Sequence, residues 1–268
     1  MKKNGLWSLI RGELLYWFLI LVLSGFFLYL TTIRASRNLL IATGVLNILL
    51  LETWFLRTFL LFSGRKISQY SEVIQRISLK DRFFDYFVLP AIFLSTFMIF
   101  LYYNKHILMS YWIIFVCMIV LLALFVNIKS SLKRVYRLSS ITKGVFDLVS
   151  IITFYLSINL FLRLDLHIWL ILFIIFILAL LIFLSELQLH DRITVPSFLI
   201  SIISALFVAL SIGTSLFQSI FVATAIGTVS IYLIIALWNI RFSGKYKLLD
   251  YLPPFLYGVI AIILIFNL

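Results

Sequence analysis

The chain has 268 residues, of which 64% are hydrophobic and 12% are charged, and its mean hydropathy is +1.17. A soluble globular domain is about half apolar and about a quarter charged. The composition excludes a soluble enzyme, a disordered tail and a secreted scaffold, because a core surrounded by water cannot absorb so much leucine, isoleucine and phenylalanine. We therefore predict an all-α, polytopic transmembrane helix bundle whose main partner is the lipid bilayer.

The formal net charge is +12 at pH 7. Such an excess is found in nucleic-acid-binding proteins, but here the basic residues are spread over several loops without a recognition fold, so we expect no nucleic-acid partner. The single cysteine, Cys117, lies in an apolar run, and the sequence has no Cys/His spacing typical of a metal site. We expect no bound metal or cofactor.

Apolar runs of about 20 residues are long enough to cross the hydrocarbon core as helices. The first run is too long for a signal-peptide core and lacks a small-residue cleavage site, so we expect it to be a retained span. The chain is predicted to form one membrane domain over residues 1–268. Its nine predicted spans are residues 14–33, 39–62, 83–103, 107–128, 144–162, 166–185, 195–213, 216–240 and 252–268.

Prolines mark three of these spans. Pro253 and Pro254 are predicted to lie in the first turn of the last helix, where a missing N–H group costs little. Pro196 is predicted to have the same role in the seventh span, with Thr194 as its N-cap. Pro90 lies inside the third span and is expected to kink it, because it removes one backbone hydrogen bond and clashes with the preceding turn.

The distribution of lysine and arginine predicts the orientation. Seventeen of these residues lie in the N-terminal segment or in the loops after the even-numbered spans, and four lie in the alternating loops. The positive-inside rule places the N-terminus in the cytoplasm and, with nine spans, the C-terminus outside. The basic loop 63–82 also has apolar residues at helical spacing, which predicts either a helix in the headgroup layer or a solvated loop helix.

Charged residues inside the predicted spans are candidates for function, because each costs about 2.5–3.5 kcal/mol at a helix centre. Glu52 lies near the middle of the second span, and Arg57 follows five residues later. The predicted partner of Arg57 is Asp85, at the cytoplasmic start of the third span. Glu52 is predicted to be either a proton or ion relay or a buried polar clamp with Asn47 or a hydroxyl group as its partner, and the clamp is favoured.

The fifth span has a polar face that is predicted to point into the protein. This face either lines a cavity with Glu52 or forms hydrogen bonds to neighbouring helices, and the second is the commoner use of serine and threonine in membranes. The polar residues recur at intervals of three or four, with one more near the outer end: Asp147, Ser150, Thr153, Ser157 and Asn159.

Small residues recur at every fourth position in the seventh and eighth spans, on both sides of a very short turn. Such rows allow two helix backbones to approach closely. We predict an antiparallel hairpin in which the two rows face each other. The rows are Ser197, Ser201, Ala205, Ala209 and Gly213 before the turn, and Ser215, Ser219, Ala223 and Gly227 across it.

Three features indicate a resemblance over residues 83–268. They are Leu89-Pro90 at the start of an aromatic-rich span, the small-residue hairpin, and the closing span that begins at Tyr251-Leu252. In these features the chain resembles uncharacterised multi-pass membrane proteins of bacteria of the candidate phyla. The resemblance implies a bacterial inner membrane and adds no site residues, because that family has no assigned activity.

For function, the packing signals favour a non-enzymatic membrane scaffold or a subunit of a membrane complex, with other membrane proteins as partners. The alternative is a small transporter or permease that uses Glu52 near the midplane. A transporter usually has repeats or helices broken in mid-span. Pro90 is the only such interruption in this sequence.

A third hypothesis is a membrane prenyltransferase-like enzyme. Asp81 with Asp85, and Glu186 with Asp191, lie at the cytoplasmic ends of two spans, where paired carboxylates could hold magnesium and a diphosphate. The Asn-led, Asp-rich motif of such enzymes is missing from the sequence. Basic residues also flank the first pair, which favours local ion pairing over metal binding.

Overall fold

The structure is a computed structural model. It describes residues 4–62, 79–104, 106–133, 140–164, 166–190, 193–216, 219–244 and 247–267. Most of the basic loop predicted to form a helix, either in the headgroup layer or solvated, lies outside the described residues (63–78), so that prediction stays untested.

Within these ranges the chain has no strand and forms nine helices that are long and apolar enough to span a membrane, which confirms the predicted all-α, polytopic fold. A 3₁₀ turn (Leu79–Arg82) and a π-helical segment (Phe84–Val88) precede the third helix. The helices are α1 (Asn4–Thr32), α2 (Arg37–Phe62), α3 (Leu89–Tyr103), α4 (Ile107–Lys133), α5 (Ser140–Leu162), α6 (Ile168–Leu189), α7 (Val195–Ser215), α8 (Ile220–Phe242) and α9 (Leu248–Asn267).

The prolines of α9 do not lie where the sequence predicts them. The helix begins at Leu248, four residues before the predicted start, so Pro253 and Pro254 are inside it and not in its first turn. Proline has no N–H group, and the intrahelical hydrogen bonds that these positions would donate to Leu249 and Asp250 are therefore missing. Interior prolines of this kind are tolerated in membrane helices where the local geometry adjusts.

At Pro90 the local irregularity is a change of helix type. The N–H group of Leu89 donates to the carbonyl of Phe84, five residues earlier, which is the π-helical pattern. Pro90 itself occupies the first turn of α3. The π-helical segment widens the helix just before the proline, where its ring would otherwise clash with the carbonyl of Tyr86.

Thr194 caps α7 as predicted. Its side chain accepts a hydrogen bond from the N–H of Ser197, and the Ser197 hydroxyl accepts one from the N–H of Thr194 at 2.8 Å. Pro196 lies in the first turn of the helix. This reciprocal capping box satisfies two N–H groups at a helix start that would otherwise have no partner.

The chain divides into two compact units, Met1–Val145 and Phe146–Leu268. In the first unit, α1 packs against α2, α3 and α4, and α2 packs against α3 and α4. Aromatic rings join α2 to α4: Trp54 stacks on Phe125 with ring centroids 4.2 Å apart, and Phe55 meets the same ring edge-on at 5.8 Å. Buried aromatic side chains therefore form much of the core of this unit.

In the second unit, α7 lies between α6 and α8, and α8 also packs against α9. The α6–α8 contact includes Phe183 and Trp238, whose ring centroids are 5.1 Å apart. Gly258 of α9 lies against Leu233 of α8, so close that an added Cβ would be 2.6 Å from a leucine methyl group.

The outward faces of both units are apolar. For example, Leu108, Trp169 and Phe173 are 72%, 72% and 61% exposed. Many other leucine, isoleucine and phenylalanine side chains are also exposed. A soluble monomer rarely exposes contiguous apolar patches larger than a few hundred Å². These surfaces are therefore suited to contact with lipid.

The small-residue rows are only partly placed as predicted. Ser201, Ala205, Ala209 and Ala223 are buried, as close packing requires. Ser219 instead caps the start of α8, where its exposed hydroxyl accepts a hydrogen bond from a backbone N–H.

The prediction that the two rows face each other is wrong at Gly213 and Gly227. Gly213 faces Leu172 of α6, whose methyl groups would lie 3.5 Å from an added Cβ. Gly227 meets Ile212, which lies beside the row on α7 and not in it. The reason is geometric: a step of four residues turns the helix by about 400°, so a row at this spacing drifts by about 40° per step and winds from one neighbouring helix to the other.

The close contact at Gly227 yields a testable prediction. An added Cβ would lie 2.5 Å from Cδ1 of Ile212 and 3.0 Å from Cδ1 of Ile158. Gly227→Ala should therefore lower the free energy of unfolding in detergent by about 1–3 kcal/mol, the usual cost of overpacking. Gly213→Ala is the matched control and should be nearly neutral, because its methyl group makes only ordinary van der Waals contacts.

A second-site change tests the cause of that loss. Ile212→Ala removes the two side-chain atoms nearest to the added methyl group, so Gly227→Ala with Ile212→Ala should cost less than the two single changes added together. Equal losses at Gly213 and Gly227, or strict additivity in this pair, would contradict the proposed contact.

Candidate functional site

Glu52 lies near the middle of α2, at the margin between its buried and exposed faces. Its side chain is half-buried, the next residue, Thr53, is exposed, and the preceding Leu51 is fully buried. No described residue forms a hydrogen bond or an ion pair with Glu52. The carboxyl group is therefore open to a partner from outside the described part of the chain.

The prediction that Asn47 is the partner of Glu52 is wrong. The Asn47 amide donates to the hydroxyl of Ser24 on α1 at 2.9 Å, and it lies 3.5 Å from Sδ of Met98 on α3. Asn47 is fully buried. It joins three helices of the first unit and leaves Glu52 without the predicted clamp.

The prediction that Arg57 pairs with Asp85 is also wrong. Asp85 is fully buried, and its Oδ2 lies 3.9 Å from Nη1 of Arg82, three residues earlier. Arg57 is exposed, and its guanidinium group lies over the ring of Tyr16 on α1, 5.6 Å from the centroid. Asp85 is thus paired with Arg82, which is nearer to it in the sequence. The sequence analysis chose Arg57 only because of its similar depth in the membrane.

An ion pair that the sequence analysis missed joins α1 to α4. The ammonium group of Lys129 donates to both carboxylate oxygens of Glu13, at 2.7 and 2.5 Å. Both residues lie at the ends of predicted spans on the same side of the membrane, and this shared depth is the signal that could have found the pair. The indole N–H of Trp17, one turn further along α1, donates to the carbonyl of Met118 at 3.1 Å.

The polar face of α5 is buried, as predicted. Ser150, Thr153 and Ser157 are fully buried, and Asn159 is 6% exposed. Thr153 donates to the carbonyl of Val149 in its own helix at 2.7 Å, and Asn159 accepts from Nε of Arg163 at 2.9 Å. These two bonds stay within α5 or at its end.

Asp147 makes the cross-helix bond at the start of this face. Its Oδ2 accepts a hydrogen bond of 2.7 Å from the side-chain amide of Asn239 on α8. The two residues border a cavity of about 320 Å³, which Tyr232 and the α9 residues Pro254 and Tyr257 also line. Asn239 was missed in the sequence analysis, although it lies at a similar depth from the same end of its span.

The second acidic pair of the enzyme hypothesis is only partly described. Glu186 lies inside the last turn of α6, 2% exposed, because this helix continues to Leu189 and not to the predicted end at residue 185. Nδ1 of His190 lies 3.0 Å from the carbonyl oxygen of Glu186. Asp191 lies outside the described residues. Among those described, no group of three or more His, Cys, Asp or Glu side chains could hold a metal ion.

The three intramembrane candidates of the first unit do not form one site. Glu52, Arg57 and Asp85 belong to the first compact unit, and Asp147 belongs to the second. Within the first unit, the three residues have separate surroundings. Asp147 accepts a hydrogen bond from Asn239 of another helix, α8.

Comparisons of the chain with protein-family models, with curated proteins and with solved structures found no match. The resemblance to membrane proteins of the candidate phyla stays a prediction.

The Asp147–Asn239 bond yields a testable prediction. Asn239→Ala should lower the free energy of unfolding by about 1 kcal/mol or more, because it removes a hydrogen bond to a carboxylate in a part-buried position. Asn127→Ala is the matched control, since the Asn127 amide donates only to the carbonyl of Ala123 in its own helix. Thermal unfolding of the purified protein in detergent measures both.

A double-mutant cycle with Asp147→Ala isolates the pair. The coupling energy should be about 0.6–2 kcal/mol, the range for hydrogen bonds between membrane helices. A coupling energy near zero would show that this bond does not stabilise the second unit.

Proposed function

We propose that the protein is a non-enzymatic subunit of a membrane complex, which binds another membrane protein through the inner half of α2 around Glu52. The observation that carries this proposal is the placement of Glu52: it lies in mid-span, half-exposed, with no partner among the described residues.

An isolated carboxyl group is costly inside a membrane. An acidic residue in hydrocarbon costs about 2.5–3.5 kcal/mol, and lipid tails offer it no hydrogen-bond donor. The residues beside it on the exposed side are apolar or already bonded: Leu49 and Leu56 are exposed, and the Thr53 hydroxyl donates to the carbonyl of Leu50. An apolar face with one acidic group near its centre is suited to a second helix that supplies a donor.

The enzyme hypothesis has less support. A magnesium–diphosphate site needs carboxylates that open to the cytoplasmic side, whereas Asp85 is fully buried and ion-paired with Arg82. The side chain of Asp81, its predicted partner in metal binding, lies outside the described residues.

A small transporter is the second candidate function. The cavity of about 320 Å³ beside Asp147 favours it, because a carboxylate and an amide there face an otherwise mainly apolar wall. A polar group of this kind in a membrane-embedded cavity is a common feature of substrate or ion pathways.

Site-specific cross-linking tests the subunit hypothesis. A photoreactive amino acid at Thr53, next to Glu52, should form an adduct with another protein in native membranes. The same amino acid at Phe173, an exposed position of α6, is the control and should capture mainly lipid. Glu52→Leu should reduce the Thr53 adduct by roughly threefold to thirtyfold, as loss of about 0.6–2 kcal/mol predicts. Glu52→Gln keeps the shape and an acceptor, and should retain most of it.

Three results would contradict this proposal. An adduct at Thr53 that does not depend on residue 52, or lipid adducts alone, would remove Glu52 from any protein contact. If Glu52→Gln left stability and adducts unchanged but abolished growth complementation, a proton or ion relay would replace the subunit hypothesis.

We also propose that the N-terminus is cytoplasmic and that the membrane is a bacterial inner membrane. The excess of seventeen over four basic residues supports this orientation. Reporters inserted in the loops 63–82 and 129–143 should be active only in the cytoplasm, and a C-terminal reporter only outside. A periplasmic signal from either basic loop would overturn the proposed topology.

A further inference from the structure

A groove of about 730 Å³ runs along the outer half of α2, between this helix and α3. Phe27 of α1 forms part of its floor, and Gly44 lies half-buried in its wall. A Cβ added at Gly44 would have only the ring of Phe27 within reach, at 4.0 Å. The missing side chain at this position therefore keeps the groove open.

The groove has the length of one membrane leaflet. It extends along α2 from Arg37 to Ile48. Eleven helical steps of 1.5 Å cover about 16 Å, which is roughly half of the 30 Å hydrocarbon core. A spanning helix of another protein needs the full thickness and is about 10 Å wide, so it does not match this shape.

The two ends of the groove differ in chemistry. Among the described residues that line it, Arg37 is the only charged one, and it is exposed with no described carboxylate as a partner. Tyr102 and Tyr103 are exposed at the same end, where amphipathic rings commonly lie at the headgroup level. The other end is bordered by Ile48 and is apolar apart from Ser95, whose hydroxyl already donates to the carbonyl of Ala91.

We propose that this groove binds an anionic phospholipid, with one acyl chain between α2 and α3 and the phosphate group on the guanidinium of Arg37. An apolar channel of leaflet length with a cation at its headgroup end matches the two parts of such a lipid, and guanidinium groups bind phosphate with strong, charge-assisted hydrogen bonds. The site goes beyond the proposed function, because it lies in the opposite half of α2 from the contact around Glu52.

Native mass spectrometry of the full chain in detergent, with phosphatidylglycerol and phosphatidylcholine of the same acyl chains, tests the proposal. The protein should retain phosphatidylglycerol in preference. Arg37→Gln should weaken that retention about tenfold, the effect of losing one hydrogen bond between charged groups. Arg34→Gln is the matched control, because Arg34 is exposed in the turn just before α2 but does not line the groove.

Filling the groove tests the acyl-chain part. Gly44→Leu should reduce retention of both lipids, whereas Gly25→Leu, at a glycine of α1 with open space around it, should not. Ile99→Trp fills the same groove from an exposed wall position and replaces Gly44→Leu if that variant does not fold.

Three outcomes would overturn the proposal: equal retention of the two lipids by the unchanged protein, an equal effect of Arg34→Gln and Arg37→Gln, or displacement of the lipid by inorganic phosphate. Adducts with a protein from photoreactive residues in the groove would assign it to a partner instead. Glu52→Gln should leave lipid retention unchanged, so failure here is separable from failure of the subunit hypothesis.

Discussion

Hydrocarbon offers no hydrogen-bond partner to a backbone N–H or C=O group, and this constraint underlies most of the described structure. A helix satisfies these groups within its own segment. The described part of the chain accordingly consists of long helices, and the connections that are described between them are short. Its effect is clearest where proline interferes. Before Pro90, the N–H of Leu89 bonds to the carbonyl of Phe84, and the helix changes its type without losing this bond.

The same constraint applies to the polar side chains, each of which needs a partner within the protein. The hydroxyl groups of Thr58 and Thr153 donate to carbonyls four residues earlier in their own helices, so each is satisfied without a neighbour. The amides of Asn47 and Asn239, which lie at helix interfaces, reach another helix, whereas the amide of Asn127 donates to a carbonyl of its own helix. A stripe of serine and threonine is therefore weak evidence for a cavity, whereas an asparagine at a helix interface indicates a specific contact.

The helices could be predicted from the sequence because hydropathy is summed over about 20 residues, and errors at single positions cancel. The partners of individual side chains could not be predicted, since they depend on the direction in which each side chain points around its helix axis. Asp85 and Arg57 share a depth, yet Arg82 lies one turn away on the same segment and forms the ion pair. The prediction that the small-residue rows face each other is wrong at Gly213 for a similar reason. A spacing of four residues is longer than the helical period of 3.6, so the row drifts around the helix and Gly213 faces α6.

The position of Glu52 follows from the packing of α2 around Asn47. Five residues turn a helix by about 500°, which leaves the two side chains about 140° apart. Rotating α2 to bury Glu52 would move Asn47 outward and break its bond to Ser24, the polar link between α1 and α2. Both residues cannot face the interior of the first unit at once, and the fully buried Asn47 has that place. The half-exposed carboxyl group of Glu52 is thus a consequence of how the unit packs, and in the proposed complex a donor from the partner protein would satisfy it.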